Sequence, residues 1–70
     1  MSILIDARGR SCPEPVIMTK DALESSEGET IEVITNSKTA TDNIERYVKK
    51  EGYSVDISED GDDYILIIKR

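Results

Sequence analysis

The chain has one cysteine, Cys12, and no histidine among its 70 residues, and this lack of cross-links limits what it can fold into. One cysteine forms no internal disulfide, and a zinc site that uses histidine is impossible. A chain of this length lies near the lower limit at which apolar packing alone stabilises a fold. With 37% hydrophobic residues, we expect two layers that form a single domain over residues 1–70, without a metal or a deep cofactor pocket.

The first half of the chain changes from a strand pattern to a helical one. The letters "ILI", residues 3–5, predict a short buried strand that ends near Asp6. A helical pattern then runs from Pro13 to Gly28, with Ile17 off its apolar side. The side expected to face the core carries Pro15, Val16, Met18, Thr19, Ala22 and Leu23.

The second half repeats the strand and helix and then adds two strands. "TIEVIT" (30–35) alternates as a strand, and residues 36–52 predict a helix with Thr39 and Asp42 as a capping box. Its core side carries Ala40, Ile44, Tyr47 and Val48. "YSVDIS" (53–58) alternates strictly, as an edge strand does, whereas "YILIIK" (64–69) is apolar throughout, as an interior strand is; Asp60-Gly61 favours a hairpin between them.

The predicted order is therefore βαβαββ. Right-handed crossovers would place both helices on one face of a four-stranded mixed sheet. The expected fold class is α+β, in the form of a two-layer α/β sandwich.

Charge and hydropathy exclude several classes of protein. The net charge of −6 argues against general nucleic-acid binding, which needs clustered Lys and Arg. No apolar run approaches the length of a membrane span, and no signal-peptide pattern is present. A lone thiol suits a reducing compartment, so we expect a cytoplasmic protein.

Cys12 lies at the predicted junction between the first strand and the first helix. Pro13 suits the first helical position, and Pro15 falls in the first turn, where its missing N–H leaves no broken bond. A helix N-terminus stabilises a thiolate, and we expect it to lower the pKa of the Cys12 thiol. Arg8 and Arg10 would add to this effect, whereas Glu14 would oppose it. The other interpretation is a buried, unreactive cysteine, and the residues alone leave both open.

The segment "DARGRSCPEPV", residues 6–16, resembles the signature of the TusA/SirA-like sulfur carriers. The resemblance covers essentially the whole chain, and "DARG" with "NIERYVKKEGYSV" is most similar to the N-terminal TusA-like domain of YedF-type proteins. The chain departs from the family pattern at Arg10, where leucine is common, and at residues 36–38, where TusA has an acidic pair followed by proline. The matching signature residues are Asp6, Gly9, Cys12, Pro13 and Pro15.

The resemblance implies a sulfurtransferase in the sense of a persulfide carrier. Cys12 would accept sulfane sulfur from a cysteine desulfurase or another donor protein and pass it to a downstream acceptor protein, with no cofactor. Arg8, Gly9, Arg10, Pro13, Glu14 and Pro15 would form the environment of the thiol. The alternatives are a selenium-handling carrier and a regulatory interaction module of the same fold. The resemblance leaves open whether residues 1–70 are the whole protein or the first domain of a longer one, as we expect YedF-type chains to be.

Overall fold

The computed structural model describes residues 2–10, 14–25 and 28–69. The chain order of its elements is βαβαββ, as the sequence predicts. The elements are β1 (Ser2–Asp6), α1 (Glu14–Ser25), β2 (Thr30–Thr35), α2 (Lys38–Lys50), β3 (Ser54–Asp60) and β4 (Asp63–Lys69).

The four strands form one mixed sheet in the order β1-β2-β4-β3. β1 runs parallel to β2, and β4 runs antiparallel to both β2 and β3. The sheet confirms that β3 is an edge strand and β4 an interior strand. β3 and β4 are joined through a two-residue loop, since Asp60 pairs with Asp63, and Gly61 has a φ of +64°. A positive φ at only the first loop position is typical of a type II′ turn.

Both helices pack on one face of this sheet. On β2 the side chains that point to that face, Ile31, Val33 and Thr35, are fully buried. On β1, Leu4 points to the other face and is 62% exposed. The two-layer sandwich is therefore confirmed. Its core consists of Ala7, Leu23, Ile31, Val33, Ile44, Val48, Leu66 and Ile68.

The apolar sides of the helices agree with the helical period of the sequence. In α1, Pro15, Thr19 and Leu23 are buried, while Ile17 is 50% exposed. In α2 the buried residues are Ala40, Thr41, Ile44 and Val48. Among the described residues, no helix is long and apolar enough to span a membrane.

The N-terminal cap of α2 differs from the predicted capping box. Ser37 is the cap residue, with an extended backbone, and its Oγ accepts a hydrogen bond from the Ala40 N–H at 3.3 Å. The predicted capping box of Thr39 and Asp42 is wrong, because α2 begins at Lys38 and Thr39 already lies inside the helix. Asp42 instead pairs with Lys38 at 3.6 Å.

The C-terminal end of α2 closes as the sequence predicts. Gly52 follows the cap residue Glu51 with a φ of +90°, a left-handed conformation that glycine adopts without strain. Its N–H donates to the Lys49 carbonyl at 3.1 Å, and the Tyr53 N–H donates to the Val48 carbonyl at 2.9 Å. This pair of bonds is a Schellman motif, which fixes where the chain leaves the helix toward β3.

Candidate functional site

The predicted site lies where β1 ends and α1 begins. Cys12 and Pro13 lie outside the described residues, and the site is built here from the segments on either side of them. These segments are residues 6–10 before the thiol and Glu14 with Pro15 after it. Neighbours from the β2–α2 loop and from β4 complete it.

The segment before Cys12 continues the pairing of β1 with β2 for one further residue. The Ala7 N–H donates to the Ile34 carbonyl at 2.8 Å, and the Ala7 side chain is buried in the core. The chain therefore leaves the sheet from a fixed point. Beyond Ala7, residues 8–10 are all exposed to solvent.

Arg8 joins the end of β1 to the start of β4. Its Nε and Nη2 donate to the two carboxylate oxygens of Asp6, both at 2.9 Å, and its Nη1 donates to Asp63 Oδ2 at 3.2 Å. The Arg8 backbone N–H also donates to Asp6 Oδ1 at 3.1 Å. These bonds from Arg8 lower the pKa of Asp6 to about 2, and the two carboxylates raise the pKa of Arg8. Arg8 therefore remains a cation held by two anions.

Gly9 contacts the loop that follows β2. Its N–H donates to Asn36 Oδ1 at 3.1 Å, although the two residues are 27 positions apart in the chain. Gly9 has a φ of +75°, a left-handed conformation that would strain a residue with a Cβ atom. The bond shows that the loop between β2 and α2 lies at the same end of the sheet as residues 8–10.

Arg10 and Glu14 form an ion pair that spans Cys12 in the sequence. Arg10 Nη1 lies 2.9 Å from Glu14 Oε1, and both side chains are 51% exposed. The guanidinium that the sequence predicts to stabilise a thiolate is thus already paired with a carboxylate.

The charge balance of this region differs from the sequence-based expectation. Arg8 is bound by Asp6 and Asp63, and Arg10 is bound by Glu14. In these contacts three carboxylates therefore offset two guanidinium groups. These pairs reduce the contribution to a thiolate at Cys12 that the sequence led us to expect from Arg8 and Arg10.

Pro15 belongs to the core as well as to the first turn of α1. Its ring is fully buried. Its carbonyl accepts a hydrogen bond from Thr19 Oγ1 at 2.9 Å, and Thr19 is itself fully buried. The start of α1 is therefore anchored by packing as well as by the restricted φ of proline.

An open groove of about 540 Å³ lies between α2 and the β3–β4 hairpin. It includes Ile57, which is 38% exposed because α2 does not cover this part of the edge strand. Its other lining residues are Lys38, Thr41, Asp42, Glu45, Glu59 and Tyr64. None of these lining residues is among those that the sequence predicts around the thiol.

Among the described residues, Asn36 and Asp63 make side-chain contacts that the sequence did not assign to the site. The local sequence gives no sign of either bond, since Asp63 is 55 positions from Arg8. The strand order brings both residues to the end of the sheet where β1 and β2 finish and β4 begins.

Comparison with protein families gives a match over almost the entire chain. Residues 3–70 match the family model described as sulfurtransferase TusA. The chain belongs to the TusA family. Of the family signature named above, Asp6, Gly9 and Pro15 lie in the described segments: Asp6 holds Arg8, Gly9 contacts Asn36, and Pro15 packs into the core.

Similar proteins of this family occur in archaea and bacteria. A proposed sulfur carrier protein of Methanocaldococcus jannaschii is 40% identical over 68 residues, which cover 94% of this chain and 91% of the relative. The proposed sulfur carrier YedF of Escherichia coli is 31% identical over 68 residues, which cover 94% of this chain and 88% of YedF. This YedF is therefore not a much longer protein. YrkF of Bacillus subtilis is a much longer protein, since the 32% identical match covers only 29% of YrkF.

A solved structure of the same fold agrees over nearly all of the chain. The crystal structure of the SirA-like protein from Desulfitobacterium hafniense superimposes with a TM-score of 0.88. The sequences are 28% identical, and the match covers 99% of this TusA-family chain and 96% of the SirA-like protein. The sandwich architecture is thus shared with this protein.

Proposed function

We propose that this protein is a sulfur carrier that accepts sulfane sulfur as a persulfide on Cys12 and passes it to an acceptor protein. The TusA family match over residues 3–70 is the observation that supports the carrier role most strongly. The relatives from M. jannaschii and E. coli are named as proposed sulfur carriers. Cys12 is the sole thiol of the chain, so a carrier function has one residue on which to act.

The proposed chemistry needs a thiolate and two protein partners. The Cys12 thiolate attacks the terminal sulfur of a donor persulfide, a new S–S bond forms, and the donor cysteine leaves as a thiolate. A nucleophile of the acceptor then attacks the terminal sulfur on Cys12, and Cys12 leaves as a thiolate. The two steps leave the carrier chemically unchanged. They require no redox partner, since each S–S bond that breaks is replaced by another bond to the transferred sulfur.

The residues around the thiol have supporting roles in this proposal. Arg8 and Gly9 hold the segment that leads to Cys12, and the buried Pro15 anchors the helix that follows it. Pro13, which directly precedes α1 in the sequence, would restrict the backbone next to Cys12, and Arg10 with Glu14 would close the site as an ion pair. A thiol on such a support meets a docked partner persulfide in a restricted orientation.

The donor in this proposal is a cysteine desulfurase or another persulfide-bearing protein, and the acceptor is a downstream protein of a sulfur relay. Residues 1–70 act as one domain. A cytoplasmic location keeps Cys12 reduced, which the carrier needs in order to accept sulfur.

Intact-mass spectrometry tests the proposal directly. The protein is incubated with a cysteine desulfurase, pyridoxal phosphate and cysteine, and we expect a mass gain of one sulfur atom that a reductant removes. Cys12→Ser should gain none, while its circular dichroism spectrum stays that of the unmodified protein. A wild-type chain that gains no sulfur, or a serine variant that still does, would show that the proposal is wrong. Replacing cysteine by selenocysteine in the same assay tests for a selenium-handling carrier.

A further inference from the structure

Asn36 continues the hydrogen-bond ladder of β1 and β2 past the ends of both strands. In a parallel ladder the N–H groups of alternate residues donate to alternate carbonyls of the neighbour. Here the Ala7 N–H donates to the Ile34 carbonyl at 2.8 Å, and two residues later the Gly9 N–H donates to Asn36 Oδ1 at 3.1 Å. The side-chain oxygen of Asn36 thus occupies the place of the next backbone acceptor.

The backbone carbonyl cannot fill this role because the chain turns into α2 directly after Asn36. Ser37 is the N-cap of α2, and Thr35 Oγ1 bonds to Thr41 Oγ1 at 2.6 Å inside the core. Both neighbours of Asn36 are therefore held by α2. The backbone of Asn36 is thus held in place, and its short side chain, which carries a neutral acceptor oxygen, reaches back to Gly9.

We propose that Asn36 is a positioning residue for sulfur transfer. This inference rests on the proposed function of Cys12. The bond from Gly9 fixes a segment whose φ of +75° at Gly9 departs from the extended backbone of β1. It thereby sets the direction in which the chain leaves the sheet, and Cys12 follows Gly9 by three residues. Asn36 touches no reacting atom in this proposal and acts only through the Gly9 backbone.

The experiment compares Asn36→Ala with Asn36→Asp, which keeps an acceptor oxygen of the same reach. In Asn36→Ala we expect the Gly9 amide to exchange with solvent about fivefold faster, as the loss of one hydrogen bond implies. We expect sulfur transfer from a cysteine desulfurase to slow by about tenfold, less than the loss from an ångström-scale displacement of reacting groups. Asn36→Asp should keep the slow Gly9 exchange and stay within about twofold of the wild-type transfer rate.

A control variant separates positioning from general stability. Gly52→Ala strains the opposite end of α2, where the φ is +90°, and should lower the melting temperature without slowing transfer. Alkylation of Cys12 by iodoacetamide, a small reagent that needs no docking, should change less than about twofold in Asn36→Ala.

The outcomes that overturn the inference are distinct from those that overturn the proposed function. Normal transfer in Asn36→Ala, equally slow transfer in Gly52→Ala, or slow transfer in Asn36→Asp despite a protected Gly9 amide and an unchanged alkylation rate of Cys12 would each refute a positioning role. If the wild-type chain accepts no sulfur, the proposed function of Cys12 is wrong. The Gly9 exchange rates need no sulfur donor and still measure the bond to Asn36.

Discussion

Replacing Pro15 with alanine separates two explanations for the Pro-Glu-Pro segment, one in which it serves the fold and one in which it serves the sulfur site. From the sequence alone, a proline in the first turn predicts a change in stability below about 1 kcal/mol, because alanine is the better helix former. The complete burial of Pro15 in the structure changes that expectation.

The magnitude follows from what the alanine lacks. Two ring methylenes disappear from a buried position, at about 0.8 kcal/mol each. The unfolded chain also gains freedom when proline is removed, which costs a further ~0.4–1 kcal/mol. We therefore expect Pro15→Ala to lower the free energy of unfolding by about 2–2.5 kcal/mol. For a domain of this size that corresponds to a fall in melting temperature of about 8–20 °C.

Thermal melting followed by circular dichroism measures this loss. The matched control is Ile17→Ala on the same helix, where the side chain is 50% exposed and the change should stay within about 0.5 kcal/mol. Sulfur loading is measured on the same samples, below both melting temperatures. A fall of less than about 3 °C in Pro15→Ala would refute the reasoning from burial. If sulfur loading slows while the melting temperature falls by less than about 3 °C, Pro15 serves the sulfur site alone.

Three further predictions concern the cap of α2 and the charges of the site. Ser37→Ala should cost about 1 kcal/mol in thermal melting, because it removes the N-cap acceptor, and an unchanged melting temperature would contradict this. The carboxyl group of Asp6 should titrate in NMR with a pKa of about 2. Because the pKa of Asp6 in the folded protein lies below its value in the unfolded chain, the bonds between Asp6 and Arg8 stabilise the fold above about pH 4, and this stabilisation is lost as the pH falls toward 2. Arg8→Ala should restore an ordinary titration of Asp6. The alkylation rate of Cys12, measured against pH, should have its midpoint below the ~8.5 of a free cysteine. Glu14→Gln should lower this midpoint further. A wild-type midpoint at or above that of a free cysteine would refute the role of the helix N-terminus.

The fold was predictable because its information is local. The change of apolar period at Pro13 and after Thr35 marks elements that the structure contains. The contrast between the alternating β3 and the uniformly apolar β4 predicts which strand is interior. The capping box of α2 was misplaced because Ser37 and Thr39 are both capping residue types. Which of the two residues caps the helix depends on where β2 ends, and the alternating pattern of a strand does not show its last residue.

The contacts of the site were not predictable, because they join residues that only the sheet topology brings together. Arg8 and Arg10 look in the sequence like two free cations next to a thiol. The partner Asp63 is 55 positions away from Arg8, and its presence near the site depends on β4 lying beside β2. An arginine close to a cysteine in sequence is therefore weak support for a lowered thiol pKa until its carboxylate partners are known.

The topology also supports the proposal of a sulfur-carrier site at this end of the sheet. β1 and β2 are parallel, so both finish at this end, and the antiparallel β4 begins there. Three chain segments therefore meet beside the residues that lead to Cys12. The core anchors Ala7, Asn36 extends the ladder to Gly9, and Asp63 holds Arg8 from β4. Because Arg8 and Asp6 are about half exposed and Asp63 is 30% exposed, these ion pairs contribute little to stability. What they restrict is the path of the exposed segment, which is the property that a carrier needs when one thiol must meet two different partners.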